Sequence, residues 1–266
     1  MTSATGPTNR PQRWNRLLEL LAESGRLSVE ETAERLGVSA ATVRRDFTTL
    51  AEQQLATRTH GGVVATSVAY ELPARYRQTA DAAKQRIAER AAALVDARSV
   101  VGINGGTTTT VVARALAGRT DPELSGDQQL TLVTNALNIA GEMVLRPHIR
   151  TIVLGGVARR ESYELHGPLA ERALAELRLD ELILGVNAIS VDGGAQCRHI
   201  DEAGVTTEMV RRCGRVLVVA TSDKLQRSAL ARICGIDEVD VLITDADADP
   251  AAVTAMEAAG VRVDVV

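Results

Sequence analysis

Apolar side chains recur at helical spacing in two short stretches near the start of the chain. The first stretch, residues 13–24, carries them at Trp14, Leu17, Leu18 and Leu21. The second, residues 28–36, carries them at Val29, Ala33 and Leu36. Ser28 and Glu31 fit a capping box at the start of the second stretch, and Gly25 and Gly37 follow the two stretches as helix-ending glycines do. The pattern predicts two short helices.

A third helix is predicted after the turn at residues 37–40. Ser39 is a suitable N-cap, and Val43, Phe47 and Leu50 form one apolar face at i, i+4 and i+7. Thr42, Arg44 and Arg45 lie off that face, in the half of the helix where a recognition helix contacts DNA. Taken alone, the pattern fits either a DNA-reading helix-turn-helix or an ordinary amphipathic helix with two solvated arginines.

Two short strands are predicted next, at residues 54–58 and 63–66, on either side of the sequence Thr-His-Gly-Gly. A hairpin here forms a wing that carries Arg58 and His60 towards a phosphate backbone. His60 is equally consistent with a surface histidine in a turn. Residues 1–11 are polar, with three Pro or Gly residues, and are expected to be a disordered arm.

From residue 99 the pattern changes to short aliphatic runs that alternate with helical stretches. The predicted strands are 100–103, 130–134, 150–154, 181–186, 215–220, 241–244 and 261–265. The predicted helices between them are 108–116, 136–145, 170–177, 203–212 and 251–259. This alternation predicts an α/β domain, built on a mostly parallel sheet covered on both faces. Residues 67–98 are predicted to be a linker with a helix at 82–95, and residues 119–129 a polar surface loop.

Composition and charge restrict the class of protein. The chain has 266 residues, 45% of them hydrophobic but only 2% aromatic, so its core must be aliphatic. No apolar run is long enough to span a membrane and the N-terminus lacks a signal region, which predicts a cytoplasmic protein. The three cysteines are widely spaced and form no metal-binding pattern, so neither a metal nor another cofactor is expected.

The net charge of −4 excludes a protein that binds nucleic acid through a uniformly basic surface. The first 66 residues hold eight arginines, no lysine and seven acidic residues. DNA binding by this segment must therefore depend on where individual arginines lie.

A candidate ligand site follows the first strand of the α/β half, at a glycine- and threonine-rich turn that begins a helix. Backbone N–H groups and hydroxyls meet there at the positive end of the helix dipole, which suits a phosphate. Polar residues after other strands are expected at the same crevice. The predicted ligand residues are Asn104, Gly105, Gly106, Thr107, Thr108, Thr109, Asn135, Gly156 and Lys224. A purely structural turn and a surface lysine are the alternative interpretations.

The N-terminal motifs together resemble one known family. The run LSVEETAERLGVSAATVRRDFTTL, followed by RTHGG at residues 58–62, is similar to the winged helix-turn-helix of the DeoR family of bacterial transcriptional regulators. The resemblance implies a DNA-binding domain at residues 12–66. It also implies that Ser39, Thr42, Arg44 and Arg45 face DNA.

The remainder of the chain resembles the sugar-phosphate-sensing domain of the same family. The matching runs include GGTTTT, LVTNALNIA, VLGGVARRESYELHGP and SDK. This implies that residues 99–266 form a Rossmann-like domain similar to ribose-phosphate isomerases and glucosamine-phosphate deaminases. Two residues depart from the family pattern: Asn104 stands where an aspartate is usual and Thr206 where a lysine is usual.

The resemblance implies a repressor of a carbohydrate catabolism operon that releases its operator DNA when a phosphorylated sugar binds. A homo-oligomer is expected, because a dimer presents two recognition helices to two half-sites. The alternative is an isomerase- or deaminase-like enzyme with an accessory N-terminal domain, for which Asp192, His199 and Glu202 are the available acid or base groups. An enzyme has no use for a recognition helix and a wing, so a non-enzymatic regulator is favoured and no catalytic residue is assigned.

Overall fold

The computed structural model describes residues 13, 14, 16, 17, 20, 21, 24, 26–52, 56–59, 61–65, 81–119 and 130–266. His60, the arm at 1–11, the first part of the predicted linker and nearly all of the loop at 119–129 lie outside the described residues. The chain divides into two compact units, Met1–Ala74 and Arg75–Val266. No helix among the described residues has the length and hydrophobicity needed to cross a membrane.

The first unit combines helices with a small antiparallel sheet. The described residues between 13 and 24 are helical, as predicted. They are followed by β1 (Arg26–Ser28), α1 (Val29–Leu36), α2 (Ala40–Glu52), β2 (Ala56–Thr59) and β3 (Gly62–Ala65). The wing strands β2 and β3 pair as predicted, each within two residues of its predicted limits. The sheet order is β1-β3-β2, and β1 was not predicted because three residues carry no periodicity and are held as a strand by pairing with β3.

The predicted signals at Ser28, Gly37 and Ser39 are confirmed, whereas Gly25 lies outside the described residues. The Ser28 side chain accepts a hydrogen bond from the Glu31 amide and caps α1. Gly37 ends that helix in the left-handed conformation, with φ 63° and ψ 35°. The amide of Thr42 donates to Ser39 Oγ at 3.2 Å, which caps α2. Val43, Phe47 and Leu50 are fully buried, so the predicted apolar face of α2 is its core face.

The second unit is built on a seven-stranded parallel sheet of order β15-β14-β12-β9-β4-β5-β6. Its strands are β4 (Val100–Ile103), β5 (Leu130–Thr134), β6 (Ile149–Val153), β9 (Glu181–Gly185), β12 (Val216–Val219), β14 (Val241–Thr244) and β15 (Arg262–Val265). Its helices are α3 (Ala82–Leu94), α4 (Thr107–Ala117), α5 (Leu137–Met143), α6 (Pro168–Ala175), α7 (Ile200–Arg211) and α8 (Pro250–Ala258). Alternate residues of single strands belong to two separate core clusters, so both faces of the sheet are covered, as predicted.

Helix α3 forms as predicted, but it does not belong to a linker. The sequence assigned it to a linker, but it lies in the second unit and packs against α4 in one core cluster. Its buried residues are Ile87, Ala88, Ala91 and Ala92. Periodicity predicts that a helix has an apolar face, whereas the partner of that face is decided by the tertiary structure.

Short strands that the sequence did not predict complete the second unit. A hairpin joins β7 (Val157–Ala158) to β8 (Leu165–His166), and a three-stranded sheet joins β10 (Ala188–Ser190), β11 (Gly194–Cys197) and β13 (Ala231–Cys234). Strands of two to four residues are too short for a readable alternation. All three cysteines are free thiols; Cys197 and Cys234 are buried in this region, whereas Cys213 is half-buried.

Candidate functional site

Helix α2 presents arginines on the surface of the first unit. Arg44 and Arg45 are both exposed, as is Arg58 on strand β2. Arg58 Nη1 donates to Thr48 Oγ1 at 2.9 Å, and Thr48 lies one turn after Arg44. The wing arginine is therefore held on the face of α2 that carries Arg44, because residues four apart in a helix are neighbours.

The start of α2 carries two linked hydroxyls. Ser39 Oγ and Thr42 Oγ1 lie 2.9 Å apart, and Ser39 also accepts from the Thr42 amide. Both groups lie at the positive end of the helix dipole, where a DNA phosphate is favoured. The structure thus places Ser39, Thr42, Arg44, Arg45 and Arg58 on α2 and the strand packed beside it; their contacts to DNA stay a prediction.

Asp46, which follows the arginine pair directly, faces the interior. Its carboxylate accepts from Arg13 Nε at 2.7 Å and from Arg13 Nη2 at 3.3 Å, and only 6% of the residue is exposed. This pair fixes α2 to the helical residues that precede β1. It also removes the aspartate charge from the surface on which Arg44 and Arg45 lie. Spacing alone did not reveal this contact, because it joins residues 33 positions apart.

The second unit contains a cavity of about 330 Å³ at the carboxyl ends of β4 and β9, a size typical of small-molecule sites. All of the predicted ligand residues line it except Asn135 and Gly156. The lining residues from the predicted set are Asn104, Gly105, Gly106, Thr107, Thr108, Thr109 and Lys224. Lining residues outside the predicted set include Arg159, Glu161, Glu164, Asn187, Arg198, His199, Glu202 and Thr206. Asp192 is not among the lining residues.

Asn135 and Gly156 serve the structure around the cavity. Asn135 is fully buried, and its amide donates to the Leu165 carbonyl at 3.2 Å and to Glu164 Oε1 at 3.4 Å. Gly156 has φ 135°, and a Cβ on it would lie 2.6 Å from the His166 carbonyl oxygen. Both residues hold the β7–β8 hairpin in place, which explains why they follow strands without reaching the cavity.

The turn before α4 retains donors for a ligand. The hydroxyls of Thr109 and Thr110 donate to the Gly106 carbonyl, at 3.1 and 2.6 Å. Thr108 Oγ1, by contrast, is buried and has no hydrogen-bond partner. The amides of the first helical turn also lack intrahelical acceptors. The turn therefore has hydrogen-bond donors without protein acceptors beside the cavity.

Asn104 ties two strand ends together. Its Nδ2 donates to the Gly185 carbonyl at 3.0 Å, and its Oδ1 accepts from the Gly185 amide at 2.7 Å. An aspartate cannot donate to that carbonyl. Asn104, which stands where the family usually has aspartate, therefore joins β4 to β9 through a pair of hydrogen bonds that needs both the N–H and the oxygen of an amide side chain.

Two buried carboxyl groups lie at the cavity, and neither belongs to the predicted ligand set. Glu164 Oε1 accepts from the Gly105 amide at 2.8 Å. Burial, followed by the charge of Glu202, raises the pKa of Glu164 to about 7. Glu202 Oε1 lies 3.4 Å from Arg159 Nε, and both atoms are buried without a hydrogen bond. The charged run ARRESYELHGP, residues 158–168, contains Glu164 and was the available sequence signal for it. Its spacing does not show which of its charged side chains faces the interior.

Lys224 and Thr206 complete the lining. Lys224 ends a short 3₁₀ helix after β12, and burial lowers its pKa, as do the charges of Lys84 and Arg198. Thr206 donates to the Glu202 carbonyl at 2.8 Å, so the position where the family usually has lysine carries no charge here. Among the described residues, the lysine and arginine side chains that line the cavity are Arg159, Arg198 and Lys224.

Comparison with known proteins assigns a family to each half of the chain. The family model for the DeoR-like helix-turn-helix domain matches residues 13–68, and that for the DeoR C-terminal sensor domain matches residues 79–246. The chain is 34% identical over 254 residues to the HTH-type transcriptional regulator GlpR of Haloferax volcanii, covering 95% of this chain and 96% of that protein.

Two relatives from Escherichia coli are similar over most of their length. The HTH-type transcriptional repressor CsqR is 34% identical, with 91% of this chain and 90% of that protein covered. The glycerol-3-phosphate regulon repressor is 33% identical, with 88% and 90% covered.

Proposed function

We propose that this chain, which belongs to the DeoR family of transcriptional regulators, represses genes of carbohydrate use and is released from operator DNA by a phosphorylated sugar. One observation carries the proposal. The same chain holds a helix with exposed arginines, in one unit, and a cavity with an unpartnered buried hydroxyl, in the other. The names of the relatives support it, since CsqR is a repressor and another relative represses a glycerol-3-phosphate regulon. A cytoplasmic location follows from binding DNA.

The first unit binds DNA through α2. Arg44 and Arg45 face outward because Val43 and Phe47 face the core and Asp46 is held inward by Arg13. Arg58 reaches the same face from the wing. A few placed cations thus supply the phosphate and base contacts that the net charge of −4 does not provide.

The effector's phosphate lies at the first turn of α4, where Gly106, Thr107 and Thr108 line the cavity and the amides of the helix start lack intrahelical acceptors. Lys224 supplies a cation beside it. The effector changes DNA affinity only to the extent that it prefers the state that binds DNA weakly. Two copies of the chain present two recognition helices about one DNA turn apart. Sedimentation of the full chain as a monomer at its DNA-binding concentration would contradict that last point.

A screen of sugar phosphates by thermal shift tests this function. A ligand that binds the native state at a hundredfold excess over Kd stabilises it by about 2.7 kcal/mol. The same compound must then lower the affinity for DNA selected by the protein from a random library. A compound that stabilises the chain and leaves DNA binding unchanged is a ligand but not the effector.

The double variant Thr107→Ala, Thr108→Ala is expected to bind DNA normally and to be insensitive to the effector. The two substitutions remove hydroxyls from the proposed phosphate site, while Thr109 and Thr110 still close the helix start on Gly106. DNA binding is measured by anisotropy with and without the effector found in the screen. Loss of DNA binding in this variant would show that the turn is structural.

We further propose that the chain is not an enzyme. Glu164 is the strongest observation in favour of catalysis, because a buried carboxyl with a pKa near neutrality can act as a base. Incubating the purified chain with ribose 5-phosphate and amino-sugar phosphates decides the matter. Turnover that is abolished by Lys224→Ala would overturn the non-enzymatic assignment.

A further inference from the structure

The acidic groups of the cavity are buried more deeply than its cations. Glu164 and Glu202 are 5% and 6% exposed. The Arg159 side chain is 26% exposed, Lys224 is half-buried and Arg198 is exposed. A site for a simple anion is expected to show the reverse order, with the buried positions occupied by cations.

Cations and acids are also equal in number around the cavity. Its described lining residues include three of each sign: Arg159, Arg198 and Lys224 against Glu161, Glu164 and Glu202. A phosphorylated neutral sugar adds only negative charge to this balance. A ligand that also carries a positive charge is better matched.

The two buried carboxyl groups are incompletely paired. Glu202 Oε1 has no hydrogen bond and shares the Arg159 guanidinium with Glu161, which lies 3.5 Å from Arg159 Nε. Glu164 accepts from the Gly105 amide and the Asn135 side chain, and no cation in the described part of the chain forms an ion pair with it. Buried acceptors in this condition favour a strong donor from a ligand.

We propose that the effector is a phosphorylated amino sugar, whose ammonium group lies between Glu164 and Glu202 while its phosphate lies at the first turn of α4. This inference rests on the proposed function of the cavity. An ammonium group supplies three N–H donors and the missing positive charge, and its bonds to carboxylates are charge-assisted. A sugar hydroxyl supplies one donor and no charge.

The proton on Glu164 gives this proposal a characteristic pH dependence. The groups that act on Glu164 are Glu202 on α7, Arg159 after β7, the Gly105 amide and Asn135. Together they hold its pKa at about 7, and a neighbouring ammonium lowers that pKa, so binding of the amine releases a proton. The preference for an amino sugar over its neutral counterpart is therefore expected to grow as pH rises from about 6 to about 7, and to fall at higher pH, where the amine of the sugar loses its own proton. The phosphate is common to both members of a pair, so its ionisation cancels in the ratio.

Matched pairs of sugar phosphates test the inference by titration calorimetry on the full chain. The probes are glucosamine 6-phosphate with glucose 6-phosphate, galactosamine 6-phosphate with galactose 6-phosphate, and the N-acetylated forms, which keep the nitrogen and lose its charge. In at least one pair the amine is expected to bind about tenfold tighter than both uncharged forms. Glu202→Gln is expected to abolish that preference, and Glu171→Gln, which changes an exposed carboxylate outside this cavity, to retain it.

Each other outcome identifies what fails. Equal affinity within every pair, or a preference that Glu202→Gln leaves intact, overturns the amino-sugar inference and leaves the proposed function standing. Absence of binding by every sugar phosphate and by inorganic phosphate overturns the proposed function as well.

Discussion

Phe47→Ala is expected to lower the free energy of unfolding of the first unit by about 3–5 kcal/mol. Phe47 is the chain's only phenylalanine, is fully buried, and lies in a core made mostly of leucine and valine side chains. Its removal leaves a cavity that those neighbours are too small to fill. A small unit has little stability in reserve, so most of its molecules are expected to unfold and lose DNA binding.

Trp14 makes this measurement specific to the first unit. It is the only tryptophan in the chain and packs partly buried against the same core. Denaturation followed by its fluorescence therefore reports the first unit, while binding of the effector reports the second. Glu52→Ala, at an exposed position of the same helix, is the control and should leave the transition unchanged. A Phe47→Ala protein with an unaltered midpoint contradicts the assignment of Phe47 to the core.

Arg44→Ala and Arg45→Ala are each expected to weaken DNA binding by about 1–3 kcal/mol if the side chain reads a base. Both side chains are exposed and neither contributes to the core, so the fold should be unaffected. If the replaced arginine reads a base, the variant discriminates less well between bases at one position of the DNA site. If the replaced arginine contacts only phosphate, the variant binds every DNA sequence more weakly, and its DNA affinity depends less steeply on salt concentration.

Anisotropy titrations at several salt concentrations, on the selected site and on single-base variants of it, separate these two roles. Arg178→Ala removes the same charge from an exposed position of the second unit and is the control. Unchanged affinity in both α2 variants would falsify the assignment of α2 as the recognition helix. An equal loss in Arg178→Ala would show that bulk charge, rather than position, governs binding.

Local signals in the sequence were sufficient for the helices, the two wing strands and the strands of the parallel sheet. Ser28 caps α1, Gly37 ends it and Val43, Phe47 and Leu50 form one face of α2, because each of these features depends on residues a few positions apart. The parallel strands were predicted equally well, since a strand buried on both faces leaves a continuous aliphatic run. The glycine- and threonine-rich turn was located at a strand end for the same reason.

The sequence by itself determined the two kinds of unit, the helix that carries Arg44 and Arg45, and the turn at Gly105 and Gly106. Only the tertiary structure decided which charges turn inward. Glu164 reaches the Gly105 amide across 59 residues of sequence, and Arg13 reaches Asp46 across 33. Such contacts depend on how strands and hairpins are assembled. The sequence around each of the two residues gives no sign of its distant partner. The acidic side of the cavity, and with it the proposed amino group of the effector, therefore came from the fold.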